Sequence, residues 1–95
     1  MSFILRPAAE NDIQQISEYI ATDNPIAARK WRQEILEICR MLGDLPNLGT
    51  VREDIPSDLK TFPKGKYMIV FRNRPNGVTV VRVLHSARDW PKLVR

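Results

Sequence analysis

Apolar residues in the first half of the chain recur at helical spacing, and those of the second half alternate. Ala9, Ile13, Ile16 and Ile20 follow at intervals of 4, 3 and 4, the stripe of an amphipathic helix. Asp23-Asn24-Pro25 then breaks and restarts the chain. Asn24 suits an N-cap, and Pro25 suits the first helical position, where an N–H would be unpaired anyway. A second stripe, Ala28, Trp31, Ile35, Ile38 and Leu42, predicts a second helix stopped by Gly43 and Pro46. So short a joint makes the two helices an antiparallel hairpin, whose apolar side needs a sheet to cover it.

Strands supply that cover. Phe3 to Leu5 is a short first strand, closed by Pro7. Leu59 to Phe62 is a weak strand, and Pro63-Lys64-Gly65 is a turn signal. Tyr67 to Arg72 is a strong strand, with Tyr67, Ile69 and Phe71 on one face and Met68 and Val70 on the other. Pro75-Asn76-Gly77 is a hairpin connection in which Gly77 can take a positive φ, and Val78 to His85 is the return strand. The expected architecture is α+β: an N-terminal strand, then an antiparallel α-helix hairpin packed on a largely antiparallel four-stranded sheet. Its predicted core holds Ile13, Ile16, Ile20, Ile35, Ile38, Ile69, Phe71, Val81 and Val83.

Composition narrows the class. A chain of 95 residues, 43% apolar and 27% charged, reads as one globular domain over residues 1–95. No apolar run approaches the roughly 20 residues a bilayer crossing needs, and MSFILRPAAE is not a secretory signal, so the expected compartment is the cytoplasm with no membrane partner. The single cysteine, Cys39, excludes an internal disulfide and any multi-cysteine metal site, and it lies in a predicted helix as a small buried hydrophobe. Residues 1–47 hold five Lys/Arg against seven Asp/Glu, a net −2. Residues 48–95 hold ten against four, a net +6. An acidic partner should therefore meet the C-terminal half.

The chemistry gathers at residues 80–89, VVRVLHSARD. Period-two counting sets Val78, Val80, Arg82 and Leu84 on one face and Thr79, Val81, Val83 and His85 on the other. Arg82 and His85 point the same way only if a bulge intervenes. His85, Ser86 and Asp89 are too close in sequence to form a hydrolytic triad. A lone histidine leaves too few ligands for zinc, and the four scattered glycines form no phosphate loop. No metal and no cofactor are expected. Each candidate has a plain structural alternative. Arg82 can pair with a carboxylate such as Asp89, His85 can be a hydrogen-bonded strand end, Trp31 can be core, and Arg52 a solvated cation.

Four stretches carry a family resemblance: Asp23-Asn24-Pro25 with Ala27-Ala28; Pro46-Asn47-Leu48-Gly49 with Arg52; Tyr67 to Arg72; and Arg82 to Asp89. In this order the chain resembles the RelE/ParE superfamily of small bacterial toxins, and its ending resembles the ParE branch. The resemblance implies the toxin of a type II toxin–antitoxin pair, held in a hetero-oligomer by a cognate antitoxin protein. ParE-like members are understood to poison DNA gyrase and so replication. RelE-like members are ribosome-dependent mRNA endoribonucleases, and an inactive, diverged antitoxin-binding module is the third possibility.

Cutting RNA through its 2′-hydroxyl needs an acid and a base as well as cations. Ribonuclease members commonly carry a C-terminal tyrosine or a His-Tyr pair, whereas here no tyrosine follows His85. That departure favours gyrase as the partner over ribosome and mRNA. It also leaves the set of catalytic residues empty. The residues expected to meet the target are Arg52, Arg72, Arg82, His85, Arg88 and Trp90, and those expected to meet the antitoxin are Tyr19, Trp31 and Ile35.

Overall fold

Asn24 divides the first half of the chain as its sequence context predicts. In the computed structural model, which describes residues 2–45 and 47–95, strand β1 (Ser2–Leu5) leads into helices α1 (Pro7–Asp23) and α2 (Pro25–Asp44). The Asn24 side chain accepts a hydrogen bond from Ala27 N at 3.0 Å, satisfying one of the otherwise unpaired donors of the α2 N-terminus. Gly43, expected to end α2, lies inside it and is buried. A Cβ there would stand 2.5 Å from the carbonyl oxygen of Ser2, so the glycine is a contact between α2 and β1 rather than a stop. Pro46, the other expected stop, lies outside the described residues.

Strands β2 (Leu59–Lys64), β3 (Tyr67–Arg74) and β4 (Gly77–His85) follow, and α3 (Pro91–Val94) makes one last turn. The sheet order is β1-β4-β3-β2, with β1 parallel to β4 and the other pairs antiparallel. Pro63, read as a turn residue, instead pairs with Met68 within β2, which is tolerable because β2 is an edge strand. Thr50 partly covers that edge, exchanging backbone hydrogen bonds with Thr61 at 2.9 Å each. Gly77 has φ 150°, and any side chain on it would collide with Ser2 of the paired β1.

The β3–β4 ladder shifts register once. Phe71 faces Val80, but Val70 faces Arg82, so Val81 is an extra residue without a partner. The bulge changes which residues share a face. Val78, Val80 and Val83 all pack with Ile13, Trp31 and Ile35 in the cluster between helices and sheet. Val81, expected in that core, instead joins a second cluster on the opposite face with Ile55, Leu59, Val70, Leu84 and Trp90.

Ile13, Ile35, Ile69, Phe71 and Val83 are buried as expected, and Ile16, Ile20 and Ile38 are half-buried against them. Full burial of residues such as Val80 and Val83 contributes about 1.5–3 kcal/mol each. Among the described residues no helix is long and apolar enough to cross a membrane.

Candidate functional site

The end of β4 is held from both sides. Ser86 donates from its backbone N and its Oγ to the Lys66 carbonyl at 2.8 and 2.9 Å, tying the strand end to the β2–β3 turn. One residue on, Ala87 N donates to His85 Nδ1 at 3.1 Å. An Nδ1 that accepts a backbone N–H carries no proton of its own, so the neutral ring bears its proton on Nε2. His85 thus presents a fixed donor outward.

Aromatic rings support that donor. Tyr67 lies opposite His85 in register, with ring centroids 5.4 Å apart at 79°, and touches Trp31 of α2 at 5.3 Å and 64°. Both contacts are edge-to-face, the arrangement that ring quadrupoles favour. A cleft of about 350 Å³ opens beside them, lined by Gln15, Ile16, Tyr19, Lys66, Tyr67 and His85. Burial chiefly, and then Tyr19, raises the Tyr67 pKa, so the phenol stays protonated and is a donor too. The lining is rich in donors and contains no carboxylate.

Arg82, expected at the target surface, turns instead to α1. Its Nε and Nη2 donate to Asp12 Oδ2 and Oδ1 at 2.7 and 2.9 Å, and Val83 N adds a bond to Oδ2 at 3.0 Å. Asp12, not Asp89, is the partner. The Asp12 hydrogen bond, and behind it the carboxylate's charge, raises the Arg82 pKa against the opposing effect of burial. The bulge brings His85 to the helix layer, which Arg82 also reaches.

Of the other candidate cations, Arg52 lies against the second cluster. Arg52 Nε and Nη2 donate to Asp54 at 2.9 and 2.6 Å, and its guanidinium covers the Trp90 ring. That hydrogen bond holds the Asp54 carboxyl below the usual carboxylate range. Arg72 Nε is 3.7 Å from Asp58, too long for a hydrogen bond, and this buried atom has no hydrogen-bond partner. Arg88 is exposed.

Of the residues expected at interfaces, Tyr19 is 77% exposed, whereas Trp31, Ile35 and Trp90 are buried and shape the surface only from beneath. Trp31 and Ile35 are buried because an apolar stripe on a helix packed over a sheet is the side that faces the sheet, and Trp90 because it packs into the second cluster. Asp12 and Tyr67 were not singled out as site residues from the sequence. A signal for Asp12 existed, because an acid three residues after Ala9 and four before Ile16 sits beside the apolar stripe and needs a buried cation.

The model of the family described as ParE toxin of type II toxin-antitoxin system, parDE, matches residues 3–90. Among solved structures, the fold is similar to a chain of the chromosomal ParDE TA system from P. aeruginosa. The TM-score is 0.72 at 23% identity, over 90% of this chain and 95% of that one. No curated protein matches the sequence.

Proposed function

Because the chain belongs to the ParE toxin family of type II toxin–antitoxin systems, we propose that it inhibits DNA gyrase, and so replication, and that a cognate antitoxin neutralises it. One observation supports this over ribonuclease chemistry. His85 Nδ1 is taken by the Ala87 N–H, and Nε2 then bears the proton, so the neutral ring has no lone pair free to act as a general base. A donor held in place suits binding. The exposed Arg88 and, at the second cluster, Arg52 braced on Trp90 add positive charge, and planar guanidinium donors match carboxylate or phosphate on a partner.

The antitoxin is expected to be acidic and partly disordered, folding as a helix on the outer side of the helix hairpin near Tyr19, or adding a strand at a sheet edge. Both partners place the action in the cytoplasm. Purified protein tested on gyrase supercoiling and on ribosome-bound mRNA separates the mechanisms, and cleavage without gyrase inhibition overturns this reading. Co-expression with the neighbouring small open reading frame tests the antitoxin: its product should co-purify and relieve growth arrest.

The ribonuclease reading draws on one feature of the cleft. The tyrosine missing after His85 in sequence is supplied in space by Tyr67, with Tyr19 and Lys66 beside it. Growth arrest with intact mRNA would dismiss it.

A further inference from the structure

We propose that Asp12 is a positioning residue: by binding Arg82 and the Val83 N–H it fixes the bulge in β4 and thereby sets His85 in the cleft beside Tyr67. The pairing itself poses the problem. From the turn, Arg74 faces Gly77, and the ladder runs regularly to Phe71 opposite Val80. Continued without interruption, it would set Val70 against Val81 and Tyr67 against Leu84. The observed ladder sets Val70 against Arg82 and Tyr67 against His85. One residue of slip moves every later side chain to the other face of the sheet.

Hydrophobic burial does not choose between these registers. In the observed one, Val83 packs under the helices and Leu84 packs on the opposite face. In the regular one they would exchange places, and each face would still receive an apolar residue. What differs is the polar bonding. A bulge takes backbone groups out of the ladder, and a buried N–H left unpaired is costly. Asp12 Oδ2 accepts that donor at Val83 and also the Arg82 Nε, while Oδ1 accepts Arg82 Nη2. All three donors come from the two residues that follow the extra Val81, and the carboxylate that gathers them is only 7% exposed. In the regular register Arg82 would share the face of Val78 and Val80 and could still meet Asp12, so it is the Val83 N–H bond to the carboxylate that favours the observed register.

The same helix builds the far wall of the cleft. Asp12, Ile16 and Tyr19 are spaced by 4 and 3 residues and lie along one side of α1. Asp12 does not line the cleft, so it acts through the strand and the helix it joins.

The experiment is a comparison of cross-strand NOE patterns in isotopically labelled full-length protein. Wild type should show Tyr67 opposite His85 and Ile69 opposite Val83. In Asp12→Ala those contacts should be lost, in favour of the regular ladder or of exchange between the two. Asp12→Ala leaves Arg82 without its counter-charge, so Asp12→Ala/Arg82→Met is made beside it, with neither charge present. A folded single or double variant that keeps Tyr67 opposite His85 overturns the proposal, because a merely stabilising role would lower the melting temperature without changing the pairing. The functional consequence rests on the gyrase reading: a variant in the regular register should lose inhibition. Wild type inactive on gyrase would sink that reading while the NOE result still decides the register.

Discussion

The Arg52 guanidinium stands 4.7 Å from the centroid of the Trp90 ring while Asp54 holds it from the side. Trp90 is 2% exposed, and it anchors the second cluster below the sheet. The two residues therefore divide their work. Trp90→Ala should cost about 3–5 kcal/mol by leaving a cavity under the sheet. Arg52→Ala should cost no more than about 1 kcal/mol, since its ion pair and ring contact lie at the surface. Urea unfolding of both variants checks the difference. If Arg52 meets gyrase, its loss should weaken inhibition at unchanged stability.

Arg82 and Arg88 differ in the same way. Arg82→Ala strands the buried Asp12 carboxylate and should destabilise the fold by about 3 kcal/mol, the lower end for a broken buried pair because Arg82 keeps some solvent contact. Any loss of toxicity would then follow from the fold. Arg88→Ala removes an exposed cation and should change stability by less than about 0.5 kcal/mol. It should still reduce gyrase inhibition. Thermal melts, followed by supercoiling assays on the folded variants, test both statements.

His85→Gln should retain most of the activity, because a glutamine amide can also donate a hydrogen bond outward. His85→Ala should lose more. Should His85→Gln abolish toxicity while Arg88→Ala stays toxic, proton transfer at His85 would replace the binding-surface account.

Cys39 offers a pH-dependent readout of the core. Burial pushes its thiol from 9.0 to about 11, so the folded protein holds the proton more tightly than the unfolded chain does. Stability from this group is complete below the unfolded value of 9.0 and is lost as pH rises toward about 11. The loss is on the order of 2–3 kcal/mol, and subtracting the Cys39→Ala stability curve isolates it. In the native state the thiol should resist alkylation and should react on unfolding.

Local rules were enough for the elements whose reasons are local. The Asn24 cap, the two helical stripes and the positive φ at Gly77 follow from residues within one turn of each position. The features that were not legible depend on residues far apart. Counting back from the Pro75-Asn76 turn puts Tyr67 opposite Leu84, and nothing in VVRVLHSARD announces the extra residue at Val81. Its cause lies in α1, at Asp12. The second cluster was equally hidden, because Ile55 and Trp90 sit in segments with no hydrophobic period. Gly43 reads as a helix stop until the backbone of Ser2 is seen against it.

The parallel pairing of β1 with β4 has a kinetic consequence. Ser2 lies opposite Gly77, so this edge closes a loop spanning most of the chain, whereas β2, β3 and β4 are joined by two tight turns. Closure entropy must be met before such a distant contact stabilises anything. The meander should therefore assemble first, with the helices docking on it and β1 joining last, and β1 should be the first strand to open in the folded protein. Native-state hydrogen exchange should show this, with β1 amides exchanging through a local opening well below the global unfolding energy and β3 amides only near it.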